Sequence, residues 1–442
     1  MSDSPILYVV HCIDTEGPLT EDLVDTFQRI NTIFNLSFTP SRETLDRLQK
    51  AEIDLGGQEL EVARVIAPRL LKYNENWGDI RDMLQDALSA KFRNTMKDDF
   101  GRGWVYSWHC MDHIGYSENP RRKDVGYGNV FRFYRNILNE TSSEDDEINW
   151  HFHPLSFSRN PLQCATSYIN SYDVLVQILC RRIIEDQWFP VANRPGFNSI
   201  RPDSHAFLEQ WIPFDYANQY YEAEEKGQAD IAEGRFGDWR RAPATWRGYH
   251  PHHDDHQKEG NCRRWIFRCL SVGTRCNELI LNHAHQAMSE AEERGSAILA
   301  FANHDYRDIR PDVTQVRDLL GQAKISHPDV RICFSGAADA ARKHLALLER
   351  KDHADLKLKT NLVENVLHVD VEVGKVFGPQ PFLAIKTKTQ HYYHDNFDIR
   401  EPAKSWSYTF DEQTVTLDTI ESIGVGVASD SGFPVVEKIV LE

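Results

Sequence analysis

The stretch Ile6-Leu7-Tyr8-Val9-Val10-His11-Cys12-Ile13-Asp14-Thr15-Glu16-Gly17-Pro18 decides how the rest of the chain is read. Its apolar run over residues 6–10 predicts a short buried strand. Two carboxylates, Asp14 and Glu16, follow at i and i+2, and residues two apart on a strand face the same side. Gly17-Pro18 then breaks the strand, so both acids stand at its C-terminal end. In α/β folds that end is where ligands bind. Two acids held together repel each other and need a shared proton or a cation. A metal ion meets the need if one acid is its ligand and the other a base. The plainer alternative is a solvated acidic turn.

Working outward, strand, polar tip and helix recur. Residues 19–53 read as largely helical, with Thr39 capping a helix that has Pro40 at its first position. Residues 57–98 read as a helical insertion of two helices that meet near Asn74-Glu75-Asn76. Strands are expected over 104–111, ending at Asp112-His113, and over 148–154, stopped by Pro154. Further strand tips are expected at 193–197 and 214–216, and apolar strands at 297–305 and 330–334. Helices are expected over 131–138, 169–186, 277–294, 313–323 and 337–350, and an irregular stretch over 218–262. This order predicts an α/β fold, a distorted parallel (β/α) barrel of seven or eight strands. After Lys351 the pattern changes. Residues 363–373 and 381–389 alternate with period two, and Gly378-Pro379 and Asp430-Ser431-Gly432 signal turns. The expected division is therefore a barrel over 1–351 and a small antiparallel β domain, a sandwich or cap, over 352–442.

A chain of 442 residues suits two domains, and 41% hydrophobic content suits a large core. The formal net charge of −17 argues against nucleic acid or an anionic membrane surface as partner, since both call for a basic face. No targeting segment is expected, because the apolar run at 5–10 is too short and has no basic residues before it. No run of about 18 apolar residues is present to span a membrane. The eight cysteines contain no C-x-x-C pair, which fits reduced thiols and a cytoplasmic location. Cys110, Cys164, Cys180, Cys262, Cys269, Cys276 and Cys333 read as structural.

His151 and His153 flank Phe152 just before Pro154, so both imidazoles face one side at a strand tip. Two histidines and one carboxylate with open positions describe a catalytic zinc site or a non-haem iron site. The alternative is a pair of hydrogen-bonded rim histidines. His304 ends the most apolar strand. A histidine there can protonate a leaving group or stabilise an oxyanion, or simply bond a carbonyl at the core edge.

In motif order, over roughly residues 5–345, the chain resembles the polysaccharide deacetylase family, the NodB-homology or carbohydrate esterase 4 group. The acidic pair followed by Gly-Pro matches Ile13-Asp14-Thr15-Glu16-Gly17-Pro18, and the paired histidines match Trp150-His151-Phe152-His153-Pro154. The arginine motif matches Arg194-Pro195-Gly196-Phe197, a later strand aspartate matches Phe214-Asp215-Tyr216, and the terminal histidine matches Phe301-Ala302-Asn303-His304. Two features depart from the pattern: Asp14-Thr15-Glu16 stands for adjacent aspartates, and the histidines are two apart rather than four. Divergent members of this kind, the WbmS-like type, occur in bacterial surface-polysaccharide (O-antigen) gene clusters.

The resemblance implies a deacetylase-type barrel that binds a divalent metal, zinc above all, through Glu16, His151 and His153. Asp14 becomes the general base, His304 the general acid, and Arg194 orients the base or binds substrate. The implied reaction removes an acetyl or formyl group from the nitrogen of an amino sugar, free or linked to a nucleotide or lipid. Asp215 is carried over as a substrate contact. Asp112 and His113, at the second strand's end, are a reserve for a missing ligand or a substrate contact. Trp239, Trp246 and Tyr249 are candidates to stack on sugar faces, against plain packing. The run His250-Pro251-His252-His253-Asp254-Asp255-His256 reads as a solvated loop. The rival readings are a non-haem iron enzyme, an amidohydrolase of cyclic amides, and a catalytically inactive sugar-binding barrel.

Overall fold

The computed structural model describes residues 4–222, 237–274, 277–349 and 355–441. Strand β1 runs over Ile6–Thr15, well past its first apolar residues, because His11, Cys12 and Ile13 are also buried and continue the ladder. It is followed by β2 (Ser107–Cys110), β3 (Glu147–Phe152), β4 (Ala192–Pro195) and β5 (Phe214–Asn218). A two-stranded hairpin, β6 (Pro251–His252) and β7 (Asp255–Glu259), precedes β8 (Trp265–Ser271) and β9 (Ser296–His304). Strand β9 pairs with β1 in parallel from Ile6↔Ser296 to Asp14↔His304, and this closes a ring of seven parallel strands, β1-β2-β3-β4-β5-β8-β9. An eighth strand, β10 (Arg331–Phe334), pairs only with Ile6–Val9 of β1, while β2 takes Cys12–Thr15 on the same edge. The expectation of seven or eight strands thus resolves into a closed seven with one lateral strand.

Both faces of these strands are buried, as parallel sheets require. Tyr8, Val10 and Cys12 share one apolar cluster with Tyr216, Phe267, Cys269, Ala300 and Ala302. Leu7, Val9 and Ile13 pack on the other face with Trp108, Leu299, Phe301 and residues of the surrounding helices, among them Met288 and Leu320. Asp14, two residues on from Cys12, follows the first set and ends at the mouth of the barrel.

Strand β8 has no counterpart among the expected elements. Arg268 interrupts its apolar run, yet Arg268 is buried, donating to the carbonyls of Tyr220 and Ala244 and lying over the Trp246 ring. Helix Pro202–Trp211 was likewise not expected. Ser41, not Thr39, caps helix Arg42–Gln49, its hydroxyl accepting from the Thr44 N–H at 3.0 Å. The insertion at 57–98 is not two long helices but the pieces Glu59–Val65, Trp77–Ala87 and Ala90–Arg93, with a 3-10 turn at Pro68–Leu71. Pro68 breaks the first piece by removing a backbone donor. Helices Leu23–Phe34 and Arg42–Gln49 join Glu59–Val65 in a separate apolar cluster of Phe27, Ile30, Leu48, Val62 and Ile66.

The C-terminal part forms two antiparallel four-stranded sheets, as the period-two pattern implies. With β11 (Lys357–Val363), β12 (Val366–Val373), β13 (Phe382–Thr387), β14 (Tyr392–Asp395), β15 (Asp398–Glu401), β16 (Ser405–Thr409), β17 (Ile420–Ala428) and β18 (Pro434–Val440), the orders are β11-β12-β16-β15 and β14-β13-β17-β18. Leu367, Val369 and Trp406 from one sheet pack with Leu383, Ile385, Ile423 and Val425 from the other. The expected boundary at 351–352 lies outside the described residues. Among the described residues no helix is long and apolar enough to cross a membrane.

Candidate metal and active site

The acidic tip of β1 is held from below. Gly17 sits at φ +73°, a conformation glycine adopts without steric cost, and a Cβ there would meet Trp77 at 2.9 Å. This turn aims the N–H groups of Glu16 and Gly17 at the Asp305 carboxylate, at 2.9 and 3.0 Å. Tyr134 adds a hydroxyl donor to Asp305 at 2.9 Å. Burial still pushes Asp305 up to about 7. The Glu16 carbonyl accepts from His113 Nε2 at 2.8 Å. The Glu16 side chain is thereby free to face the barrel mouth.

Two further strand ends supply the histidines. His151 pairs in register with Arg194 across β3 and β4, and His153 follows directly after β3. The His151 Nδ1–H donates to the Arg194 carbonyl at 2.7 Å, which leaves the Nε2 lone pair as the ligand atom. His151 Nε2 and His153 Nε2 lie 2.9 Å apart. Glu16 Oε1 is 3.9 Å from the first and 3.5 Å from the second. Gly196 permits this, since a Cβ there would fall 2.4 Å from the His153 ring. Glu16, His151 and His153 form the one three-ligand group among the described residues, with donor atoms all within 4.8 Å of one another.

The donor set fits a divalent cation. Two imidazole nitrogens on a tetrahedral zinc stand about 3.3 Å apart, close to the spacing here. Burial lowers the pKa of His151, and burial with the neighbouring His151 lowers that of His153 further, so both rings are neutral and able to donate lone pairs. Three protein ligands, one carboxylate and two imidazoles, leave a coordination position for water or substrate. The nitrogen-rich set favours zinc or iron over magnesium or calcium.

Asp14 stands beside this group. Arg194 clasps it with Nε at 2.7 Å and Nη2 at 3.1 Å. Burial alone would raise the Asp14 carboxyl, but the charge of Arg194, helped by His151 and His304, holds it well below the usual carboxylate range. His304 Nε2 is 4.0 Å from Asp14 Oδ2 and 4.0 Å from Glu16 Oε1. Its Nδ1 is buried without a hydrogen-bond partner, and burial pulls the ring down to about 3. Asp14, Glu16, His151, His153, Arg194 and His304 all line one cavity of about 400 Å³ at the barrel mouth.

Two residues of this site have no sequence signal. Lys123, in the polar loop after β2, pairs its Nζ with Glu16 Oε2, and burial pulls it down to about 7. A single lysine in a solvated loop carries no periodicity to mark it. Asp305, next to His304, looked like the end of a strand tip rather than a brace for Glu16. His109 also lies near Asp14, in register with it across β1 and β2, with its Nε2 buried and unpartnered.

Of the remaining sequence candidates, only His113 lines this cavity. Asp112 forms a buried ion pair with Arg182 at 2.6 Å and also accepts from the Gly128 N–H. His113 lines the cavity but holds the backbone of Glu16. Asp215 is buried between Asn193, at 3.1 Å, and Arg264, at 3.4 Å, and burial pushes it up to about 6. Trp246 is buried in the core under Arg268, and neither it nor Asp215 lines the cavity. Trp239 and Tyr249 are buried too, donating to the carbonyls of Asn198 and His256. Cys276 lies outside the described residues, and the seven other cysteines are free thiols.

The barrel and its mouth define the class as far as it is shown: a closed α/β barrel with a potential metal-binding triad. Comparison with known protein families, with curated proteins and with solved structures found no match.

Proposed function

We propose that this chain is a metal-dependent hydrolase that removes an N-acyl group, acetyl or formyl, from an amino sugar. We further propose that it is a divergent polysaccharide deacetylase of the WbmS-like type, acting in the cytoplasm in bacterial surface-polysaccharide synthesis. The observation that carries the reading is the convergence of Glu16, His151 and His153 beside the Arg194-clasped Asp14 and His304 in one cavity. That combination of a ligand triad, an ionised carboxylate and a nearby imidazole suits amide hydrolysis.

Glu16, His151 and His153 would hold a divalent cation, zinc by the chemistry of the donor set, and when bound it would supply Lewis acidity at the barrel mouth. Arg194 holds Asp14 ionised and aimed, so that the carboxylate takes a proton from the attacking water. His304 Nε2, 4.0 Å from Asp14 Oδ2, takes that proton on from Asp14 and hands it to the departing nitrogen, so the imidazole is neutral before and after the step. The amide and one water become a carboxylate and an ammonium on the sugar.

The Lys123–Glu16 pair favours a second reading, a barrel that binds sugars without turnover, because an ammonium neutralises Glu16 as a metal would. One experiment separates them. Metal is measured in the purified protein and in His153→Ala, and acyl release is followed on N-acetyl and N-formyl amino sugars. About one zinc per chain, lost in the variant together with acyl release, supports the hydrolase. A wild type that takes up no metal after reconstitution sinks it.

A further inference from the structure

The chemistry described so far uses six of the residues that line the cavity. The same cavity carries further basic side chains, in a protein whose formal net charge is −17. Arg29, Arg121 and Arg307 all line it. Arg29 pairs with Glu21 at 2.8 Å, and Arg121 reaches the same carboxylate at 3.7 Å, so two guanidinium groups share one acid. Arg307 has no carboxylate partner among the described residues. Its N–H closes a turn on the His304 carbonyl at 3.4 Å, which places it one turn from the candidate acid.

Arg307 is nonetheless held rigidly. Its Nε donates to the Leu70 carbonyl at 3.0 Å, and its guanidinium lies 5.1 Å from the Tyr73 ring centroid and 5.0 Å from that of Tyr306. A guanidinium fixed by one edge and two aromatic faces keeps its Nη edge for a planar or tetrahedral anion. Ordering such a side chain costs entropy, and no ion pair among the described residues offsets it. Of the cavity's remaining acids, Asp25 accepts from the Asp22 N–H at its helix start, and Glu118 is exposed. Arg307 therefore faces the cavity without an ion-pair partner among the described residues, while Arg121 shares Glu21 with Arg29.

We propose that Arg307, with Arg121 lining the same cavity, is an anion subsite, and that the substrate carries a carboxylate or phosphate next to the sugar whose amide is cut. This deepens the proposed function and rests on it for the identity of the reacting group. Two sources carry this chemistry: an acidic sugar, with a carboxylate, and a phosphate-linked or nucleotide-linked sugar. A neutral free amino sugar leaves the subsite unused.

The test is calorimetric titration of the full chain, metal-free and zinc-loaded, with inorganic pyrophosphate, with glucuronate and with glucose as the neutral control. The expected result is that at least one anion binds in both metal states, glucose does not, and binding weakens at least ~10-fold in Arg307→Gln, as loss of a charged hydrogen-bond donor requires. Arg121→Gln should weaken it in the same direction, and Arg307→Lys should recover part of it. Which anion binds tells the phosphate from the carboxylate source. If Arg307→Gln does not fold, Arg121→Gln carries the comparison. Failure of both anions to bind, binding only in the zinc-loaded protein, or equal binding by the Gln variants overturns the subsite. Its fate is separable from that of the hydrolase. Anion binding lost in Arg307→Gln, without acyl release from any substrate, upholds the subsite and sinks the hydrolase. Acyl release from neutral sugars at an equal rate in wild type and Arg307→Gln does the reverse.

Discussion

Arg194 serves two residues with two different groups: its main-chain carbonyl accepts from His151 Nδ1 at 2.7 Å, and its guanidinium clasps Asp14 at 2.7 and 3.1 Å. One residue thus sets the tautomer of a candidate ligand and the ionisation of the candidate base. Mutation separates the two roles, because a side-chain change leaves the carbonyl in place.

Arg194→Met should therefore keep the metal but lose the base. Without the guanidinium, burial pushes the Asp14 carboxyl up and leaves a buried charge uncompensated, a loss of about 3–5 kcal/mol of stability. Metal content should stay near that of the wild type, while the acid limb of any pH–rate profile moves to higher pH. Loss of metal in a folded Arg194→Met would contradict this division.

Asp305 braces the acidic tip through the main chain of Glu16 and Gly17. Asp305→Ala leaves the N–H groups of Glu16 and Gly17 and the Tyr134 hydroxyl without an acceptor, at about 1–3 kcal/mol for each buried group left unpaired. Because Glu16 then loosens, metal affinity should fall about 10–100-fold. Asp305→Asn keeps one acceptor and should fall between. Competition with a chromophoric chelator reads the affinity. An unchanged value in Asp305→Ala would remove Asp305 from the site.

Acid should unfold this protein earlier than its carboxylates alone require. Burial lowers His11 and His109 to about 3 and His113 to about 4, whereas an unfolded histidine takes its proton near 6.5. Between those values the unfolded chain binds more protons, so stability falls as pH drops below about 6.5. Each such histidine contributes up to ~1.4 kcal/mol per pH unit. Denaturant midpoints at pH 7.5 and 5.5 check the sign. Burial that raises Asp305 and Asp215 acts in the opposite sense and offsets part of this loss, and a protein more stable at pH 5.5 than at 7.5 would show that these rings are not held neutral.

Trp246 distinguishes packing from sugar stacking. It is buried in the core, with Arg268 over its ring at 4.4 Å. Trp246→Ala should cost about 3–5 kcal/mol. Trp246→Phe, which keeps most of the ring, should leave KM for any sugar substrate unchanged. A several-fold rise in KM with wild-type stability would return the residue to the substrate site.

Much of the frame is readable in one dimension. Apolar period, proline stops and polar tips mark β1, β3, β9 and the antiparallel C-terminal strands, because burial of a strand face is a local pattern. Strand β8 was hidden, since Arg268 breaks its apolar run and finds its carbonyl partners only in the folded chain. Helix caps were partly hidden, because Thr39 and Ser41 are both acceptable and only the backbone decides between them.

For the candidate site, the sequence by itself determined which chemistry-bearing residues stand at strand ends: Asp14 and Glu16 before Gly17-Pro18, His151 and His153 before Pro154, and His304 after its apolar strand. Tertiary structure alone decided which of the chain's charged groups meet. It set Arg194 on Asp14 across 180 residues and Asp305 under Glu16 across 289, brought Lys123 to Glu16, and committed Asp112 to Arg182 and Asp215 to Arg264. The physical reason is one of range. The pleat and the hydrophobic period act between neighbours in sequence, whereas a buried charge takes whichever opposite charge or donor the closed barrel places within a few ångströms.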